Sequence, residues 1–137
     1  MIRRAVLSDR EEVIALNAMY WEDNPLPYAE RGAVLDGLIE VFDAVVGQGE
    51  PGICLVAPSI GIILFRLLDG ALSGPGMYVR RDKRGGGIGG ELLEALEKEA
   101  VALRAERIFF TPLWGHAVDW FEERGYSPVQ VVMVKEL

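Results

Sequence analysis

The sequence contains little of several residue types, and each shortage excludes a class of protein. Among 137 residues there is one cysteine, Cys54, and one histidine. A disulfide-bonded scaffold is therefore excluded, and no metal site is predicted. Because Cys54 lies in an apolar run, we expect it to be a small buried thiol rather than a reactive nucleophile.

Long apolar runs are also missing. The longest, residues 60–65, ends at Arg66 and is far shorter than the roughly 18 residues that a membrane-spanning helix requires. The apolar stretch at residues 5–7 is too short for the apolar region of a signal peptide. These shortages predict a cytoplasmic protein with no membrane partner.

Basic residues are outnumbered, 14 against 21 acidic ones, which gives a net charge of −7. Non-specific binding to nucleic acid requires a basic surface, so nucleic acid is not an expected partner. Four of the basic residues are nevertheless found within residues 80–84. This cluster fits a small polyanionic ligand, and it also fits a solvated loop.

The apolar periodicity predicts a single α/β domain over residues 1–137, built around a mixed sheet. Six strands are predicted: residues 2–7, 53–57, 60–68, a strand that ends at 77–79, 107–111 and 129–134. Four helices are predicted: one from the Ser8–Glu11 capping box to about residue 21, and the others over 34–45, 88–103 and 117–124. The element order is β-α-α-β-β-β-α-β-α-β. Pro75, which lies between two glycines, predicts a bulge in the strand that ends at 79.

Five glycines and Ile88 occupy residues 85–90, between a strand and the longest predicted helix. Glycine allows main-chain amides to turn towards a ligand, and a helix N-terminus adds unpaired N–H groups and partial positive charge. Together these features predict a site for a pyrophosphate. The neighbouring basic residues would suit further phosphates.

Three other interpretations fit these glycines less well. Gly85, Gly87 and Gly90 satisfy G-x-G-x-x-G, but only 47 residues follow Gly90, too few for the further β-α units of a dinucleotide-binding fold. A P-loop is excluded because no Lys-Ser or Lys-Thr follows the glycines. A flexible turn without a ligand does not need so many glycines.

Two segments resemble the GNAT N-acyltransferase superfamily. In the first, a strand-end valine is followed five residues later by R/Q-x-x-G-x-G/A at the start of a helix, and the matching residues are Val79, Arg84, Gly87, Gly89 and then Leu92 and Leu93. The second resembles A-x-x-x-Y-E-x-x-G-F and comprises Ala117, Phe121, Glu122, Gly125 and Tyr126. The order of elements is similar as well, so the resemblance covers nearly the whole chain.

The resemblance implies a GNAT fold and a cofactor, acetyl-CoA or another acyl-CoA. The main chain of residues 79–81 would pair with the pantetheine arm, and the amides from residue 84 or 85 to 90 would bind the pyrophosphate. The implied cofactor-binding residues are Val79, Arg80, Arg81, Arg84, Gly85, Gly86, Gly87, Ile88, Gly89 and Gly90. The implied reaction is direct attack of an acceptor amine, from a small molecule or a protein, on the thioester.

Two residues depart from the family pattern. Phe121 replaces the tyrosine that commonly protonates the leaving thiolate, and Trp114 replaces an asparagine. His116 is the candidate base, with a surface imidazole as the plainer interpretation. We expect Trp120 and Tyr126 to be packing residues.

The resemblance implies that the end of the first helix forms one wall of the acceptor site, and the candidate acceptor residues are Trp21, Glu22 and Trp114. Aromatic rings and carboxylates would suit a cationic amine. The plainer interpretation is that Trp21 covers the core while Glu22 and Asp23 are solvated. The resemblance also implies a homodimer as one assembly, in which a partner strand completes the sheet. The missing tyrosine leaves a second interpretation open, a non-catalytic module that keeps the fold and binds CoA or serves in assembly.

Overall fold

A computed structural model describes residues 1–23, 31–111, 115–129, 133, 135 and 137. The strands are β1 (Arg3–Arg4), β2 (Gly52–Ala57), β3 (Gly61–Leu68), β4 (Ala71–Val79) and β5 (Arg107–Ile108), and the helices are α1 (Arg10–Asp23), α2 (Arg31–Phe42), α3 (Ile88–Ala102) and α4 (Gly115–Glu122). The α/β fold and the predicted order of these elements are confirmed. The predicted strand at 129–134 falls mostly outside the described residues.

The first strand is shorter than residues 2–7. The Asp9 carboxylate accepts hydrogen bonds from the Val6 N–H at 2.8 Å and from the Arg3 guanidinium at 2.8 Å. Asp9 is 8% exposed, and these bonds bend the chain into a 3₁₀ turn at Leu7–Asp9. Ser8 therefore lies inside the turn, and the predicted Ser8 cap is wrong because Asp9 bonds the main chain in its place.

The sheet has the order β1-β2-β3-β4-β5, antiparallel except for the parallel pair β4–β5. Helices α3 and α4 pack on one face, where their buried side chains include Leu92, Leu96 and Phe121. Helices α1 and α2 pack on the other face through residues such as Leu16. Since both faces are covered, β2 and β3 are apolar along most of their lengths.

Cys54 lies on the α1 and α2 face of the sheet and is 6% exposed. Burial, with a smaller contribution from the charge of Asp9, raises the pKa of its thiol to about 12. The expectation of a buried, unreactive thiol is confirmed.

Strand β4 contains the predicted bulge. Leu64 pairs with Gly76 and Arg66 with Ser73, so Phe65 alone faces the two residues Gly74 and Pro75. One extra residue in a strand shifts the alternation of everything that follows it. Leu72 and Met77 consequently both point to the α3 face, although they are five residues apart.

Helix α4 ends at the predicted glycine. Gly125 has φ of +89°, the N–H of Tyr126 donates to the Phe121 carbonyl, and the N–H of Gly125 donates to the Glu122 carbonyl. These two bonds form a Schellman motif, which requires a left-handed residue at this position. The motif places Tyr126 beside Phe121. Among the described residues, no helix is long and apolar enough to cross a membrane.

Candidate functional site

Strands β4 and β5 are paired only at their beginnings. Ala71 and Leu72 lie opposite Arg107 and Ile108, and the last bond in the described chain runs from the Phe109 N–H to the Leu72 carbonyl at 2.9 Å. The bulge then redirects β4, and β5 loses its partner. This is why the strand is shorter than the predicted 107–111. Within the described residues, no strand pairs with the second half of β4 on the side away from β3, and we call this side the gap.

The main chain of β4 faces this gap at alternate residues. The Arg80 N–H donates to the Ile60 carbonyl at 2.8 Å, so the main-chain groups of Arg80 point towards β3. Because these directions alternate along a strand, the main-chain groups of Tyr78 point towards β3 as well. Met77 and Val79 therefore direct their N–H and C=O groups away from β3 and into the gap. We call the main chain of Met77 and Val79 the free edge.

The basic turn, residues 80–84, follows the free edge and is held by its own arginines. The Arg80 guanidinium donates to the Asp82 carboxylate at 2.8 and 3.1 Å and to the Ser59 carbonyl at 3.0 Å. Arg84 donates from Nε to the Val79 carbonyl at 2.9 Å. The side chains of Arg81 and Lys83 are exposed and form no hydrogen bond or ion pair within the described parts of the chain.

The glycine turn, residues 85–90, leads into α3. Gly85 and Gly87 both have φ of +86°, a conformation that a side chain would strain, and Gly87 is the N-cap of the helix. A Cβ on either residue would meet no atom within 4 Å, so the turn faces open space. The first helical bond runs from the Glu91 N–H to the Gly87 carbonyl.

The amides before Glu91 therefore have no partner inside the helix. Within the described residues, no N–H of the glycine turn donates to a main-chain carbonyl. First-turn amides have no partner inside their own helix, and they carry the positive end of its dipole. The exposed, glycine-lined turn fits a pyrophosphate.

An aromatic cluster lies behind the glycine turn. The Phe121 ring is 9% exposed and packs against Phe110, with ring centres 4.5 Å apart, and against Tyr126 at 5.4 Å. Trp120 is partly buried, and a Cβ on Gly89 would lie 3.9 Å from its ring. The prediction that Trp120 and Tyr126 are packing residues is confirmed.

The Tyr126 hydroxyl is buried and has no hydrogen-bond partner within the described structure. Burial, and then the nearby Glu97 carboxylate, raise its pKa to about 12. The two groups are close enough for the charge to act, but they do not form a hydrogen bond of ordinary geometry. A hydroxyl that holds its proton so tightly is poorly suited to acid catalysis at neutral pH.

The other candidate residues are placed less fully. His116 is in the first turn of α4, and its side chain, like that of Trp21, is outside what the structure describes. Glu22 is exposed near the end of α1, and Trp114 lies among the undescribed residues. The sequence interpretation missed Met77. Residues two apart in a strand face the same side, so the position of Val79 could have indicated Met77.

The sequence model of the Acetyltransferase (GNAT) family matches residues 13–126. The chain belongs to the GNAT acetyltransferase family. Both resemblance segments fall inside the matched range, and the predicted cofactor, acetyl-CoA or another acyl-CoA, is confirmed at the level of the family. No curated protein matches the chain.

Solved structures share the fold. A GCN5-related N-acetyltransferase from Ralstonia eutropha JMP134 has a TM-score of 0.72 at 17% identity, over 100% of this chain and 97% of that one. The PaiA N-acetyltransferase from Thermoplasma acidophilum, in complex with coenzyme A, has a TM-score of 0.70 at 16% identity, over 90% of this chain and 87% of that one. A GNAT family acetyltransferase from Brucella melitensis, in complex with acetyl-CoA, has a TM-score of 0.62 at 19% identity, over 85% of this chain and 79% of that one.

Proposed function

We propose that this protein transfers an acetyl group from acetyl-CoA to a primary amine, by direct attack in a ternary complex. One observation supports the proposal above the others. The free edge of β4 and the unpaired amides of the glycine turn are separated only by the short basic turn. An extended amide-containing arm joined to a pyrophosphate matches this arrangement, and acyl-CoA, which two of the similar structures hold as CoA or acetyl-CoA, has both parts.

The pantetheine arm would lie along β4 as an added strand, with its amides bonded to Val79 and Met77. The amides of residues 85–90 would bind the pyrophosphate, as the family resemblance implies for this segment. Among the basic residues, Arg81 and Lys83 are the side chains best placed to add charge, because Arg80 and Arg84 are bonded to the protein itself. When bound, the thioester supplies the activated acyl group.

The protein's own contribution to the chemical step is mainly placement of the two reactants. Holding an amine against a thioester in the correct orientation supplies a large part of such a rate enhancement. His116 is the proposed base, and Trp21, Glu22 and Trp114 are the proposed acceptor residues. Phe121 has no proton to donate, so the leaving thiolate takes its proton from water.

A second candidate function is a non-catalytic module that binds CoA. The observation that favours it is the burial of Phe121, since the side chain in the position of the usual acid is part of the core. Both functions use the same free edge and glycine turn. They differ only in turnover.

The test is incubation with acetyl-CoA and a panel of primary amines, with release of free thiol as the signal. An enzyme releases thiol only when an accepted amine is present, whereas the module is stabilised thermally by CoA and releases none. Phe121→Tyr restores the missing hydroxyl, and we expect it to raise kcat, since a well-placed general acid contributes about 100-fold or more. His116→Ala with an unchanged rate would remove His116 from the mechanism. No thermal stabilisation by CoA would contradict both functions.

A further inference from the structure

Two contacts of the Arg84 side chain within the described structure are to the end of β4. Its Nε donates to the Val79 carbonyl at 2.9 Å, and its guanidinium carbon lies 5.5 Å from the centre of the Tyr78 ring. Tyr78 is buried on the α1 and α2 face of the sheet, opposite to the face that α3 covers. Arg84 is thus directed back along the chain rather than forward over the glycine turn.

The bonded carbonyl belongs to the free edge. Of the main-chain groups that face the gap, the Val79 carbonyl is the one that accepts a hydrogen bond from a described side chain. A bond from a guanidinium is charge-assisted and stronger than a neutral one. It fixes the last peptide of β4 and closes the basic turn across five residues.

The consequence for a ligand is directional. With its carbonyl already engaged by Arg84, Val79 presents chiefly its N–H to the gap, while Met77 presents both an N–H and a carbonyl. A strand-like arm that pairs with this edge therefore meets an N–H donor at Val79. The main-chain groups of Met77 and Val79 that are still unbonded determine the direction of the arm and how far it extends along β4.

We propose that Arg84 is a positioning residue, which holds the Val79 carbonyl and so sets how the pantetheine arm docks, and that it is not a phosphate ligand. This inference rests on the proposed function and departs from the sequence interpretation, in which Arg84 belongs to the phosphate-binding set. Arg80 has a comparable role in the turn, through its bonds to Asp82 and Ser59.

Two variants separate the hydrogen bond from the charge. In Arg84→Gln the amide Nε2 occupies the same covalent position as the arginine Nε, so the donor to Val79 is kept and the charge is lost. In Arg84→Met the Cε atom occupies that position, so both are lost at similar length. The Gln and Met variants carry equal charge, and of the two only Gln keeps an N–H donor at this position.

The binding experiment measures KM for acetyl-CoA and for S-acetylpantetheine, which has no phosphates. We expect Arg84→Met to raise both KM values about tenfold, because a bond from a charged donor is lost in each case. Arg84→Gln should stay within about threefold of the wild type for both. The proposal would be overturned if both variants raised the KM for acetyl-CoA equally and left the KM for S-acetylpantetheine unchanged, because that result would show that Arg84 binds phosphate.

A second readout needs no cofactor. Amide hydrogen exchange of the Lys83 and Arg84 N–H groups, which close the basic turn onto Arg80 and Arg81, should speed up several-fold in Arg84→Met and not in Arg84→Gln. Arg107→Gln, at an exposed arginine on β5, is the control for charge loss and should change neither exchange nor KM. If the wild type binds no CoA, the proposed function fails, while exchange still decides whether Arg84 holds the turn. Unchanged exchange in Arg84→Met would contradict that role.

Discussion

The two halves of β4 differ in what they offer to the space beside them. In the first half Leu72 is fully buried, and its carbonyl is bonded to β5. In the second half Met77 and Val79 are only partly buried, and their main chain faces a gap. The halves are separated by the bulge at Gly74 and Pro75.

One extra residue separates a half of β4 that is paired on both sides from the half that we propose pairs with the pantetheine arm. Before the bulge, the main-chain groups on the far side from β3 are used in a parallel ladder. After the bulge, the same side carries groups that no described strand pairs with, although both halves remain paired with β3. If the proposed function holds, adjacent segments of one strand carry stability and ligand binding, and mutations should separate the two.

The largest expected effect is on the paired half. Leu72→Ala removes a side chain with 0% exposure from the α3 face, and we expect the free energy of unfolding to fall by about 2–5 kcal/mol. The dissociation constant for CoA should change by less than about twofold at temperatures where the variant is folded. Urea unfolding and calorimetric titration check the two values. A parallel loss of CoA affinity would contradict the separation of the halves.

The next effect sharpens the binding side of the comparison. Gly87→Val places a β-branched residue at φ of +86°, which costs about 1–3 kcal/mol of strain. Since that strain falls on the turn that would bind the pyrophosphate, we expect CoA to bind about 10- to 100-fold more weakly. Gly89→Val, which adds bulk in the first turn of α3 at an ordinary φ, separates obstruction from strain. Calorimetric titration measures both.

The control for these glycines is Gly37→Ala in α2. A Cβ there meets no atom within 4 Å, and φ is not positive. Alanine in a helix interior is better than glycine by about 0.5–1 kcal/mol, so this variant should be slightly more stable with unchanged CoA affinity. If Gly87→Val binds CoA as tightly as Gly37→Ala does, the glycine turn is not the pyrophosphate site.

The smallest effect tests the aromatic cluster. The pKa of Tyr126 is raised to about 12 by burial and by Glu97, against about 10 in an unfolded chain. The folded state therefore keeps a proton that the unfolded state loses between pH 10 and pH 12, and stability falls as pH rises through that range. Tyr126→Phe should make the free energy of unfolding fall less steeply between pH 10 and pH 12. It should also raise the free energy of unfolding at pH 7 by about 1 kcal/mol, because it removes an unsatisfied hydroxyl. Urea unfolding at pH 7, 10 and 11 measures both, and an unchanged alkaline slope would be the contrary result.

The fold was predictable wherever periodicity or turn chemistry is local. Alternating and helical apolar spacing located α3 and the β2–β3 pair, and Pro75 located the bulge. The ends of β1 and β5 were not predictable, because apolar spacing encodes neither the side-chain bonds that end β1 nor the distant strand that ends β5. Asp9 bends the chain after β1, and the divergence of β4 ends β5.

The candidate site was predictable as a segment and not as a set of roles. A run of glycines at the start of a helix indicates an anion site from the sequence alone, because main-chain N–H groups form such a site. The basic cluster does not indicate which cations face a ligand. That division depends on Asp82, Ser59 and the Val79 carbonyl, which engage Arg80 and Arg84 only once the strands are assembled.

The central claim is that main-chain donors on the free edge and in the glycine turn bind CoA, and residue-resolved amide hydrogen exchange with and without CoA tests it most directly. The account predicts that CoA slows exchange at Met77, Val79 and residues 85–90, while the Tyr78 amide, already bonded to β3, is unchanged. CoA binding that leaves all of these amides unaltered would contradict the account.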